Sequence, residues 1–284
     1  MRLIYSCIGE SVGTYLLVLF GTGAVASAVL TGAQSGLWQV AVVWGFGITI
    51  AIYATAAISG AHLNPAVSLA FCIFRSDDFP LKYLLPYWVS QVFGAVLAGA
   101  TVLGIFGPFI RRFESLNNIQ RGQSGSEQSA MMFGEYFPNP AIFGPVGEAQ
   151  ELISPIGAAV VEGFGTAVLV FTIFVLVERN NASIPTKRFA PFFIGFTVAV
   201  LISLFAPLTQ AGWNPARDFG PRLVSFMAGW DSIAIPGPSG GFWAYIVGPL
   251  LGGPLGAAIY EYVLRPGLKS SLNNLDQKNK ALPE

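Results

Sequence analysis

The chain is short of the side chains that carry out chemistry and of the charges that keep a protein in water. It has one histidine and two cysteines in 284 residues, and only 11% of its residues are charged. A single histidine, His62, leaves no histidine dyad and no multi-histidine metal site. Cys7 and Cys72 both sit in apolar stretches, so neither a disulfide nor a metal-ligand spacing is expected. No nucleophile stands with a base. No catalytic residue, metal or cofactor is therefore expected. The 15 basic and 15 acidic residues cancel, which removes the basic footprint that binding to nucleic acid requires.

What is present is apolar: 53% of the residues are hydrophobic and the mean hydropathy is +0.60, too greasy for a soluble domain of this size. A bilayer core about 30 Å thick asks for roughly 20 apolar residues per spanning helix. Six stretches qualify, Ile4–Leu30, Leu37–Ser59, Leu81–Phe106, Ile156–Val177, Phe189–Leu208 and Phe242–Leu264. They predict an all-α membrane protein. The first stretch is long enough to span and runs on into the bundle, so it is not read as a cleavable signal. Glycine is frequent, with 33 residues, and small residues such as those of Gly94-x-x-x-Ala98 and Gly252-x-x-x-Gly256 let membrane helices approach closely.

If the six stretches alternate across the membrane, Arg2, Arg75, Lys82, Arg179, Lys187, Arg188, Arg265, Lys269, Lys278 and Lys280 fall on one side. That side is expected to be cytoplasmic, with both termini on it. The long segment between the third and fourth stretches carries Glu114, Glu127, Glu135, Glu148 and Glu151 against Arg111, Arg112 and Arg121, a net acidic balance that suits the outer face.

The sequence reads twice. Asn64-Pro65-Ala66 recurs as Asn214-Pro215-Ala216, an offset of 214 − 64 = 150 residues, and Gly45-Phe46 recurs at the same offset as Gly195-Phe196. Glu10-x-x-Gly13-Thr14 recurs as Glu162-x-x-Gly165-Thr166. Each half holds three stretches, an odd number, so the second copy enters from the opposite face and the halves form an inverted repeat around a pseudo-two-fold axis. In each half a segment too short to cross follows the motif, Pro65–Phe74 and Pro215–Phe226; ten residues at about 1.5 Å each cover half a bilayer. Pro65 and Pro215 suit the first helical position, with Asn64 and Asn214 as caps before them. Two half-helices entering from opposite faces meet near the middle, and the preceding segments Ser59–Leu63 and Thr209–Trp213 become candidate pore lining. A third Asn-Pro-Ala, Asn139-Pro140-Ala141, has no partner at the repeat offset and is read as a capped turn in the long polar segment.

The two motif regions, Ser59-Gly60-Ala61-His62-Leu63-Asn64-Pro65-Ala66-Val67 and Asn214-Pro215-Ala216-Arg217-Asp218-Phe219-Gly220-Pro221-Arg222, resemble the signature loops of the aquaporins, and the resemblance covers nearly the whole chain. Asp218, Arg222, Pro249-Leu250, Phe106 and the long third loop resemble the glycerol facilitator branch. The resemblance implies six transmembrane helices and two re-entrant half-helices in one channel domain, 1–268, with halves at about 1–106 and 155–268, an extracellular loop 107–154 and a disordered cytoplasmic tail 269–284. It implies that Asn64 and Asn214 offer amide donors to the solute and that Arg217 narrows the outer pore. Glu10 and Glu162 then hold the re-entrant loops, and His62 fixes its loop or turns its carbonyl to the pore; Asp218 and Arg222 are structural. It also implies a homotetramer in a lipid bilayer, either a plasma membrane or a bacterial inner membrane.

The filter departs from that branch. By distance from the second motif it consists of Trp44, Ile202, Ala211 and Arg217, with Trp213 beside it, where a glycerol facilitator is expected to have glycine and phenylalanine at the Ile202 and Ala211 positions. This set resembles that of some plant nodulin-like channels. Glycerol is the first expected solute, with water, urea and small neutral hydroxides open. A secondary active transporter is the rival reading from another class, and it would need coupling acids; Glu10 and Glu162 are the only clear acids expected in mid-bundle.

Overall fold

The computed structural model describes residues 2–145, 147–181, 187–268 and 270. Two asparagines set the frame. Asn64 and Asn214 are extended at φ −157° and −146°, their side-chain oxygens accept from the backbone N–H of Ala66 and Ala216, and Pro65 and Pro215 occupy the first helical positions. This satisfies donors that a helix start leaves unpaired. The helices they start, α3 (Pro65–Phe74) and α7 (Pro215–Ser225), are of 10 and 11 residues and too short to cross. Around them stand six long helices: α1 (Arg2–Thr31), α2 (Leu37–Ser59), α4 (Leu84–Leu116), α5 (Pro155–Val177), α6 (Ala190–Thr209) and α8 (Ala244–Ile259), the last continued by a π-helical turn, Tyr260–Leu264. All six are long and apolar enough to span a bilayer. The expected tail 269–284 lies outside the described residues, Ser270 apart.

The halves interlock rather than sit side by side. α3 of the first half packs on α8 of the second, α7 of the second on α4 of the first, and α2 meets α6 between them. At the α2–α6 crossing a Cβ on Gly45 or Gly195 would run into the other residue's carbonyl oxygen. The stripe Gly252 and Gly256 lies in the same way against the backbone carbonyls of Gly163 and Ala167, so α8 and α5 touch main chain to main chain. Ile4, Leu85, Phe93, Phe164, Leu204 and Leu251 remain exposed on the outside, as lipid contact requires.

Two expectations need correction. The third span does not end at Phe106; α4 runs on to Leu116, with Pro108 inside it. The sequence from Gly107 to Leu116 keeps helical spacing, and the outward-facing Arg111 and Arg112 mark where the apolar run stops rather than where the helix stops. The long connection is also not a solvated acidic loop. Met132, Phe133, Tyr136 and Trp230 form a second core with Ile110 and Val102, and Glu114, Glu127 and Glu135 are buried. Glu114 is paid for by Arg121 at 2.8 Å, and Glu135 pairs with Arg217. The third Asn-Pro-Ala is a capped turn, as expected: the Asn139 side chain accepts from the N–H of Ala141 at the start of the short helix Pro140–Phe143. It also ties the connection to the end of α6, because Asn139 Nδ2 donates to the Ala206 carbonyl at 3.0 Å and its backbone N–H to the Pro207 carbonyl at 3.1 Å.

Candidate functional site

The segments before the two motifs take the same unusual path. Gly60, Ala61 and Leu63 have φ of 87°, 51° and 52°, and their counterparts at an offset of 150, Gln210, Ala211 and Trp213, have 58°, 69° and 47°. A residue with a Cβ pays about 1 kcal/mol or more to sit there, so something must hold each loop. The buried glutamates do this. Glu10 accepts from the backbone N–H of His62 and Leu63 at 3.0 and 2.7 Å, and Glu162 from those of Gly212 and Trp213 at 3.1 and 2.6 Å. Three residues further on, Gly13 leaves the space that the Leu63 side chain fills and Gly165 the space that the Trp213 indole fills. The repeated Glu-x-x-Gly is therefore one device used twice: an acid to hold a loop's donors and a missing Cβ to admit its side chain.

The loops also hold each other. Asn64 Nδ2 donates to the Trp213 carbonyl at 2.9 Å, and Asn214 Nδ2 to the Leu63 carbonyl at 2.8 Å. Each amide nitrogen carries two hydrogens, so each asparagine keeps a second donor. The tie brings the N-termini of α3 and α7 together in mid-bundle, where the positive ends of both helix dipoles add.

A cavity of about 260 Å³ runs past this point. On one side are Trp44, Ile48, Ile52 and Ala56 of α2 and Ile194, Val198 and Ile202 of α6, positions four apart that form one apolar face on each helix. On the other side lie the two loops, residues 60–63 and 211–213, with Asn64 and Asn214. The result is a tube with a greasy wall and a polar wall. Lys187 borders it at one end and Arg217 lies near the other.

At the Arg217 end the expected filter residues converge: Trp44, Ile202, Ala211 and Arg217 all line the cavity. Arg217 is buried, with its guanidinium 4.5 Å over the Trp44 ring. It pairs with Glu135, and among the described residues its Nη1 has no acceptor. Gly21 makes room for the Trp44 indole, since a Cβ there would meet the ring. Trp213 is buried and reaches the cavity's edge. His62 lines the cavity, stacks on Phe71 at 4.7 Å, and its Nδ1 lies 3.2 Å from Ser68 Oγ. Asp218 and Arg222 form a buried pair behind the filter, with Arg222 Nε and Nη2 each 2.9 Å from a different Asp218 oxygen. Asp218 is thus a further buried acid, which the reading of Glu10 and Glu162 as the clear mid-bundle acids did not include.

Other residues of the site escaped the sequence. Gln91 Nε2 donates to Glu10 Oε2 at 2.7 Å. Tyr87 donates to the Ser59 carbonyl at 2.7 Å and Tyr245 to the Thr209 carbonyl at 3.2 Å, the same support at the ends of α2 and α6. The two tyrosines are 158 residues apart rather than 150, which hides the match from a search at the repeat offset. Glu135 gave only the signal of an acid in an acidic segment.

This arrangement of capped half-helices, crossed asparagines and one continuous tube has close counterparts. The family profile described as Major intrinsic protein matches residues 1–260. The chain belongs to the major intrinsic protein family. Among curated members, a glycerol uptake facilitator protein of Haemophilus influenzae is 39% identical over 260 residues, covering 90% of this chain and 92% of the relative. The propanediol uptake facilitator PduF of Citrobacter freundii is 38% identical over 273 residues, covering 95% and 96%. Among solved structures, the aquaglyceroporin from Plasmodium falciparum superposes with a TM-score of 0.79 at 26% identity, covering 94% of this chain and 99% of that one. Major intrinsic proteins are channels and not enzymes.

Proposed function

We propose that the chain passes glycerol and other small uncharged solutes, together with water, down their gradients through the tube between α2, α6 and the two loops. The observation that carries this reading is the two-sided wall. A polyol is itself two-sided: its carbon chain slides along Trp44, Ile48 and Ile202, while its hydroxyls exchange hydrogen bonds with the Arg217 guanidinium, the free amide hydrogens of Asn64 and Asn214, and the loops. An ion gains nothing from the greasy wall. A cation or hydrated proton also meets the paired half-helix N-termini and Arg217, both of which present an electrostatic barrier. The relatives named as glycerol and propanediol uptake facilitators support this solute class.

The same reading places the long connection outside and both termini in the cytoplasm. Arg75, Glu178, Glu261 and Arg265 meet in alternating ion pairs of 2.7 to 3.1 Å at the face opposite that connection, where the positive residues of the sequence gather. A homotetramer in a plasma membrane or bacterial inner membrane, each subunit with its own pore, completes it.

Light scattering from proteoliposomes tests the solute. An inward glycerol gradient is expected to be dissipated much faster than in protein-free vesicles, and Arg217→Trp is expected to abolish the difference. Fast water movement without glycerol entry would mean that Ile202 and Ala211 shape a filter for water, urea or small neutral hydroxides instead.

A further inference from the structure

Among the described residues that line the filter end of the cavity Arg217 is the cation, and its counter-charge comes from the long connection between α4 and α5. Glu135 is 1% exposed and is not part of the cavity wall; it stands behind Arg217. Its backbone is clamped on three sides. Its N–H donates to Asp218 Oδ1 at 2.7 Å, its carbonyl accepts from Arg222 Nη2, and the next N–H, that of Tyr136, donates to Gln210 Oε1 at 2.8 Å. Only the carboxylate is left to respond to its surroundings.

Those surroundings hold an odd charge count. α7 contributes Arg217, Asp218 and Arg222, α5 contributes Glu162, and α8 contributes Tyr245, with Tyr136 and Glu127 from the connection itself. Asp218 and Arg222 neutralise each other through two hydrogen bonds. Glu162 is satisfied by Thr209 Oγ1 and the two N–H groups of its loop, and both it and Glu135 lie where a Cβ on Gly212 would stand. Glu135 is left between one guanidinium and two other acids, in a place with almost no water. Burial pushes its carboxyl up to about 8, against the pull of Arg217. A narrow cleft lined by Glu127, Gln150, Arg222 and Tyr245 reaches it, which gives a proton a way in.

We propose that Glu135 is a positioning residue for the filter: ionised, it draws the Arg217 guanidinium back from the cavity, and protonated, it lets the guanidinium lean into the path of the solute. The channel then narrows as the medium acidifies. The sign follows from an acid with a raised pKa, ionised above it and neutral below. A group titrating near 8 is about nine-tenths ionised at pH 9 and about one-hundredth at pH 6. This inference rests on the solute reading above.

The test is glycerol and water permeability in proteoliposomes buffered to the same pH on both sides, from pH 6 to 9. Wild type is expected to lose glycerol permeability about fivefold or more between pH 9 and pH 6, following that ionised fraction, and water permeability by a smaller factor. Glu135→Gln is expected to be flat at the low level, while Glu127→Gln keeps the wild-type slope. A flat wild-type profile overturns the proposal without any variant, and so does a Glu135→Gln profile that keeps the slope. A protein that passes water but no glycerol at any pH sinks the solute reading alone, and the slope of its water permeability still decides the role of Glu135.

Discussion

At the scale of single residues, the glutamates that hold the two loops are buried with hydrogen-bond donors on both carboxylate oxygens. Glu162 shows the arrangement. Oε1 accepts from Thr209 Oγ1 and the Gly212 N–H, and Oε2 from the Trp213 N–H. Glu162→Gln keeps the shape but replaces one acceptor oxygen by an amide NH2 group that faces a donor. The expected cost is about 1–3 kcal/mol of stability, read as a lower unfolding temperature in detergent, with reduced conduction because the strained loop loses its anchor. A variant with wild-type stability and conduction would show that the loop holds its positive-φ path unaided.

At the scale of elements, what could be read from the sequence followed local rules. The start of each half-helix was legible to the residue because Asn-Pro fixes a cap and a first turn in adjacent positions. The span α2 was legible at both ends, bounded by Gly36 and by Gly60 in the left-handed conformation. The end of α4 was not, because hydropathy reports where lipid ends and the helix outlasts it. The connection after it was misread for a different reason. Glu135 and its partner Arg217 are 82 residues apart in sequence, and no periodicity joins a loop acid to an arginine beyond two further spans. The same holds for Asn139, whose acceptors Ala206 and Pro207 lie at the far end of α6. Asn139→Ala is expected to cost about 1–2 kcal/mol. Hydrogen exchange is expected to rise through the Pro140–Phe143 turn while the α3 amides stay protected; unchanged protection there would mean that the hydrophobic contacts of Phe133 and Tyr136 alone hold the connection.

At the scale of the whole molecule, one cavity runs along the apolar faces of α2 and α6 and past both loops, between Lys187 and Arg217. Transport is therefore expected to be proportional to the solute gradient and indifferent to sodium or proton gradients. Glycerol influx should rise almost linearly with external concentration and, at a fixed external pH, be unchanged when ionophores collapse the ion gradients. Saturation at low concentration, or loss of flux with the ionophore, would point to an alternating carrier.

The crossed asparagine bonds also bear on how the chain is made. Asn64 needs the Trp213 carbonyl, and Asn214 the Leu63 carbonyl, so neither loop is complete in its own half. The two asparagines are separated by 150 residues, and at about 5–20 residues per second a ribosome takes roughly 8 to 30 seconds to travel between them. For that interval the first re-entrant segment sits at the membrane with its amide unmatched and α8, the helix it packs on, still unmade. A nascent chain stalled before Trp213 would hold five spans and one half-helix whose loop has nothing to close against, making the earliest-synthesised re-entrant segment the one most exposed to quality-control proteases.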